Sequence, residues 1–224
     1  MRITALKPDK RHAHLTVVEV DGARFAAIPV ELVRELNLAK GVELDDERRD
    51  RLEFLADVEA SHLVATRMLA ARPRSVNEIL RKLRERGHNP SAASRAVGRL
   101  EDAGVLDDGE FASHFARVRA ARGHGPARLL SDLITKGVER RLAELAIDEV
   151  LANEEYDELS QARRLTEKRI GQLGDLPTTT LRRRLIQYLA RRGFRGYEVT
   201  DMVAELIRDG KTGRLEDGTD VGDV

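Results

Sequence analysis

Five apolar positions and a glycine return in the same register at three places along this chain, and that repeat limits the folds open to it more than any other feature. Each copy closes a helix-like stretch with Leu-x-x-[Lys/Arg]-Gly, at residues 83–87, 133–137 and 189–193. Eight residues before the glycine stand Ile79, Leu129 and Leu185; seven before it, Leu80, Leu130 and Ile186; four before it, Leu83, Leu133 and Leu189. Ten after it come Val97, Ile147 and Val203, and thirteen after it Leu100, Val150 and Leu206. The first three offsets fall on one stripe of a helix, and the last two on a stripe of the next helix. Glycine between them suits a left-handed cap that stops one helix and lets another begin. A further amphipathic helix precedes each copy: residues 62–71; residues 110–122 with Phe111, Phe115 and Val118; and residues 158–173 with Leu159, Leu165 and Ile170. The expected fold is therefore mainly α, three tandem three-helix repeats in an elongated array. Three such units in a row would reach about 60 Å.

The N-terminal part follows another period. Leu15–Val20 is a β-branched run, Asp21-Gly22 is a hairpin turn signal, and residues 24–28 read as the return strand before Pro29. Residues 3–6 add a third strand to a small antiparallel sheet, and residues 30–38 form a short helix that stops near Gly41. The resulting division is a β-containing N-terminal element at 1–56, repeats at 57–107, 108–153 and 154–209, and a Gly- and Asp-rich tail at 210–224 with little to bury, expected to be disordered.

Several function classes fall away on composition. Cysteine is absent, which removes disulfides, thiolate nucleophiles and cysteine metal sites. No apolar run approaches the ~18 residues of a membrane helix, and residues 1–10 lack the apolar stretch of a signal peptide, so a cytoplasmic protein without membrane contact is expected. The histidines form no His-Glu-x-x-His arrangement, and His12 with His14 lack further ligands, so neither metal nor cofactor is expected. Asp107-Asp108 opens an expected helix, where acids cap and complement the dipole. An enzyme built on Asp107, Asp108 or His114 is the least favoured reading, and a non-enzymatic binding protein, monomeric, the most favoured.

Charge is balanced overall, with 39 basic and 39 acidic residues, so any attraction to a charged partner must be local. Two local surpluses exist. Arg67, Arg72 and Arg74 lie between Glu59 and Glu78 with no acid among them, followed by Arg81, Lys82, Arg84 and Arg86. Arg182, Arg183, Arg184, Arg191, Arg192 and Arg195 lie between Asp175 and Glu198, again with no acid. Guanidinium forks meet carboxylate or phosphate well, so an acidic protein groove or a nucleic-acid backbone is the kind of partner these stretches suit. Tyr188, Phe194 and Tyr197 interleave with the second set. Core packing is the expected use of Phe194 and Tyr188.

Certain strings are similar to one family. Arg74-Ser75 opening a helix that ends at residues 83–87, then Leu106-Asp107-Asp108 with Phe111-Ala112, resembles the first module and junction of RecX proteins. Gly125 before a helix ending Thr135-Lys136-Gly137-Val138 resembles the middle module. Tyr188-Leu189 with Arg191-Arg192-Gly193-Phe194 resembles the last. The resemblance covers residues 57–209, and the hairpin at Asp21-Gly22 looks like the β-containing extension of some members. It implies a regulatory protein that lies in the helical groove of the RecA–DNA filament and inhibits recombinase, ATPase and co-protease activity in DNA repair, recombination and the SOS response. On that resemblance Arg72, Arg74, Arg81, Arg182, Arg183, Arg184, Arg191, Arg192 and Arg195 are the candidate contacts to the RecA filament, or to single- or double-stranded DNA backbone. The competing reading is a winged-helix transcription regulator, in which residues 75–87 and 90–104 form a helix-turn-helix. Two strands of a wing should then follow.

Overall fold

The computed structural model describes residues 1–153, 156–174 and 176–216. Three strands open the chain: β1 (Ile3–Pro8), β2 (Leu15–Val20) and β3 (Ala23–Pro29), paired antiparallel in the order β1-β2-β3. Asp21 and Gly22 both have positive φ (50° and 85°), the geometry that lets a two-residue turn follow strand twist, and Val20 pairs with Ala23 across it. One face of the sheet carries Ile3, Val18, Val20, Ala26 and Ile28, all buried against Leu44 and Leu52. The first short helix, α1 (Val30–Glu35), stops earlier than expected because Asn37 takes the left-handed conformation at φ 50°.

The expected boundary at 56/57 falls inside a single helix. α2 (Asp46–Ala71) is capped by Asp45, whose side chain accepts from the Arg48 amide, and it serves two cores in turn. Its first half places Leu52 and Leu55 on the sheet, while Ala65 and Met68 enter the first three-helix core. The segment Asp45–Arg51 is charged at every position, so it has no apolar period to announce a helix; its cap and its acidic first turn start it instead.

Eight further helices among the described residues complete the three modules: α3 (Val76–Glu85) and α4 (Pro90–Asp102) with α2; then α5 (Asp108–Ala120), α6 (Pro126–Thr135) and α7 (Arg140–Asn153); then α8 (Glu158–Leu173), α9 (Thr178–Arg192) and α10 (Tyr197–Glu216). Within each module all three helices touch one another. The chain divides into two compact units, Met1–Asp107 and Asp108–Val224, so the first module belongs with the sheet and the other two form the second unit. Among the described residues no strand follows α4; α5 stands where a wing would have to be.

The repeat is the core. Ile79, Leu129 and Leu185 are fully buried, as are Leu83, Leu133 and Leu189, and Val97, Ile147 and Val203 face them from the following helix. Gly87, Gly137 and Gly193 have φ of 84°, 83° and 94°. In each copy the glycine amide bonds back three residues (to Arg84, Ile134 and Ala190), and the next amide (His88, Val138, Phe194) bonds back five, to the core leucine carbonyl. Two otherwise orphaned carbonyls are satisfied by one turn, which explains why the sequence keeps glycine there. Backbone helix continues past Asp209 to Glu216, beyond the expected start of the tail at 210, and the rest of that tail, 217–224, lies outside the described residues.

Candidate functional site

The two arginine-rich stretches have different surroundings. In the first module, Arg72 Nη2 lies 3.2 Å from Glu78 Oε1, and its Nη1 donates to the Pro73 carbonyl at 2.9 Å. Arg74 Nε donates to the Met68 carbonyl at 3.3 Å, so it ties the α2 end to the α3 start. Arg81 is 3.9 Å from Glu85, which also takes Lys82 at 2.6 Å. Arg67 lies 3.5 Å from His12 Nε2. Two acids of α3, Glu78 and Glu85, thus take Arg72, Arg81 and Lys82, while Arg84 and Arg86 are exposed with no ion pair or side-chain hydrogen bond among the described residues, so the surplus is cancelled only in part.

The third module is different. Arg182, Arg183 and Arg184 follow one another in α9, and Arg191 and Arg195 lie at its other end. All five are exposed, and among the described residues none makes an ion pair or side-chain hydrogen bond. Three consecutive helical positions differ by about 100° each, so Arg182, Arg183 and Arg184 fan around the helix. Arg191 lies about 13 Å further along the axis. Five cations of this module are therefore left uncompensated by their own chain, against Arg84 and Arg86 in the first stretch.

Arg192 does not share that freedom. Its Nη1 donates to the carbonyls of Arg122 (3.2 Å) and Gly123 (3.3 Å) in the turn between α5 and α6. Its guanidinium carbon also lies 5.1 Å from the Tyr188 ring centroid, with Arg169 at 5.4 Å. Tyr188 is thus half-buried beside two cations, and Phe194 is in the core at 1% exposure, both as expected; Tyr197, 79% exposed, is the aromatic left in solvent.

The α5–α6 turn was not legible as anything but a loop, yet it touches the third module through backbone. The Gly125 amide donates to the Arg192 carbonyl at 2.7 Å. A Cβ on Gly125 would come within 2.8 Å of the Gly193 carbonyl group, and one on Gly193 within 2.4 Å of the Arg128 nitrogen. His124 sits between the two turn glycines. Burial, together with Arg119, Arg128 and Arg192, holds its pKa below the usual histidine range, opposed by Asp132 at 3.9 Å. Tyr156, between the modules, packs on both cores, and burial pushes its phenol up to about 12.

Elsewhere the polar chemistry is structural. Glu59, 2% exposed on α2, receives Arg99 of α4 at 2.9 Å and lies 3.6 Å from His14. Asp57 accepts the Asn89 amide at 2.7 Å and lies 2.6 Å from His88 Nδ1, fastening the first module's glycine turn to α2. A cleft of about 860 Å³ between the sheet and α2 is floored by Leu15, Val17 and Phe25, and its Lys7 and Arg24 are paired with Glu19 and Asp9. No cluster of three or more metal-ligating side chains occurs among the described residues. Asp108 opens α5, and exposed His114 lies on another side of that helix. Among the described residues no helix is long and apolar enough to cross a membrane.

Comparison with known proteins adds to this geometry. Family models described as the first, second and third three-helix domains of RecX match residues 63–100, 107–147 and 155–199. A regulatory protein RecX from Halorhodospira halophila is 38% identical over 156 residues, spanning 69% of this chain and 93% of that protein. Its namesakes from Xanthomonas axonopodis pv. citri and Amycolatopsis mediterranei are 41% identical over 134 residues and 34% over 152, covering 59% and 67% of this chain and 78% and 85% of theirs. A crystal structure of regulatory protein RecX superposes with a TM-score of 0.71 at 20% identity, covering 91% of this chain and 98% of the other. One from Lactobacillus salivarius gives 0.56 at 20% identity, covering 68% and 97%.

Proposed function

The chain belongs to the RecX family, and from that premise we propose that it is a regulatory protein that binds RecA–DNA filaments in their helical groove and lowers their recombinase, ATP-hydrolysing and co-protease activity. The observation that carries this reading is the set of arginines on the third module, Arg182, Arg183, Arg184, Arg191 and Arg195, that have no partner on their own chain among the described residues. Exposed guanidinium groups left unpaired repel one another, and an acidic partner or a phosphate backbone relieves that repulsion while accepting forked hydrogen bonds. RecA carboxylates and DNA phosphates are the two anions a recombinase filament offers.

Regulation then needs no active site. A ligand that prefers one filament state shifts the population toward it by its difference in affinity, and turnover in the disfavoured state falls. Modules that each bind weakly gain from being joined, since the second contact forms at high effective concentration when spacing matches the filament repeat. In the first module Arg72 and Arg81 are paired with acids and Arg74 is held by a backbone carbonyl, whereas the five arginines of the third are left for a partner to pair.

RecA ATPase on single-stranded DNA, measured with increasing amounts of this protein across a salt series, tests the proposal. Turnover should fall in a saturable way, with the effect weakening as salt rises. Unchanged turnover at several-fold molar excess over RecA at low salt would sink it.

A further inference from the structure

The second and third modules meet through main chain as well as through side chains. The Gly125 amide opens α6 and has no acceptor within that helix; its hydrogen bond goes to the Arg192 carbonyl at the end of α9. Gly193 continues that turn at φ 94°, with its Cα facing the backbone of Arg128 so closely that a methyl group would sit 2.4 Å from the amide nitrogen. Gly125 in turn faces the Gly193 carbonyl at a distance no side chain tolerates. Over this contact the Arg192 guanidinium reaches back to cap the carbonyls of Arg122 and Gly123. A helix start and a helix end, both with unsatisfied backbone groups, are thus completed by each other across the module boundary. Tyr156, in the stretch that joins the two modules, packs against both apolar cores.

We propose that this glycine clasp welds the second and third modules into one rigid body, with Arg192 as its strut, so that Arg192 is a positioning residue for the arginine surface of the third module and not itself a contact to the partner. The inference goes beyond the filament reading, since the weld needs no partner to exist. Its bearing on Arg191 and Arg195 does rest on that reading. The clasp places them beside the turn that carries Arg122, whose side chain is also exposed and unpaired among the described residues. Cations from two modules therefore share one fixed frame while Arg192 holds it.

The chain has no cysteine, so two spin labels can be placed without removing a native thiol. Labels at Arg141→Cys on α7 and Lys168→Cys on α8, both exposed, should give one narrow distance distribution, and the Gly125 amide should exchange as slowly as core amides. Arg192→Met keeps the stem and removes the donors. It should speed Gly125 exchange at least tenfold, about the loss of one cross-module hydrogen bond, and broaden the distance distribution. Gly125→Ala should broaden it further, and if that variant fails to fold, Arg192→Met carries the test. Arg192→Lys, which retains a donor, should recover part of the protection, while Arg191→Met should leave both readings unchanged. In filament binding, Arg191→Met should reduce both affinity and salt dependence; Arg192→Met should reduce affinity with salt dependence kept. A fast Gly125 amide in the wild type, or Arg192→Met with unaltered exchange and distances, overturns the weld. Loss of salt dependence on Arg192→Met overturns the positioning role. If the wild type ignores filaments while Gly125 stays protected, the filament reading and the positioning role fail, and the weld stands.

Discussion

The first and third modules share a turn, a core register and an arginine-rich stretch, and they use the arginines in opposite ways. Arg72, Arg74 and Arg81 are held by Glu78, the Met68 carbonyl and Glu85, and only Arg84 and Arg86 of that stretch are exposed without a partner among the described residues. Arg182, Arg183, Arg184, Arg191 and Arg195 meet no acid among the described residues. The residue after the turn glycine differs as well: His88 leans on Asp57, whereas Phe194 is buried in the core. The same backbone device can therefore be secured by an ion pair near the surface or by an aromatic ring inside, and charge counted along the sequence says little about charge presented to a partner.

The sharpest way to break this comparison is to remove the two fastenings in parallel. Phe194→Ala should cost about 3–5 kcal/mol, the usual range for deleting a buried phenyl ring, read from urea unfolding of the second unit. His88→Ala should cost only about 1–2 kcal/mol in the first unit, since Asp57 keeps the Asn89 amide. Equal losses would mean that the two turns are fastened alike after all. The turn glycines sharpen the point. Gly87→Ala meets open space and should cost about 1–2 kcal/mol for the left-handed backbone alone, whereas Gly193→Ala adds a collision with the Arg128 backbone and should cost more than about 2 kcal/mol in the same measurement.

Charge reversal comes next in size. Arg183→Glu with Arg191→Glu should weaken filament binding about tenfold or more with the helical circular dichroism kept, while Arg81→Glu in the first module should change it less than about twofold. Comparable effects from both modules would erase the distinction drawn between them. The smallest expected effect is on pH dependence. Burial holds the pKa of His62 in the first unit and of His124 in the second below the ordinary value of 6.5. The unfolded chain then binds more protons than the folded one just below that value, so stability is full above it and falls as pH drops from 6.5 toward the lowered folded values. Urea midpoints at pH 8 and pH 5.5 should differ in that direction, and His62→Gln or His124→Gln should each flatten the difference for its own unit.

Much of the fold was legible because helix periodicity and the glycine turn are local. Ile79, Leu129 and Leu185 could be placed on one stripe from spacing alone, and all three prove fully buried. The hairpin at Asp21-Gly22 is equally local. The start of α2 was not legible, because residues 45–51 show charge and no apolar period, and its two-core role depends on which neighbours its faces meet. The arginine site was half legible: composition found both stretches, and the α3 acids that pair with Arg72, Arg81 and Lys82 lie within one or two turns, so pairing at helical spacing was the available signal. Arg192 gave no such signal. The carbonyls it holds belong to Arg122 and Gly123, some seventy residues earlier.

By itself the sequence determined three copies of one helical turn, the small sheet before them and the family to which the chain is similar, because those follow from side-chain periodicity and from the one residue type that accepts a left-handed backbone. Tertiary structure alone decided which arginines are free, which one braces two modules, and where Gly125 and Gly193 must stay bare. Those outcomes depend on backbone groups and side chains far apart in the chain arriving within hydrogen-bond or van der Waals range, and no local pattern encodes that meeting.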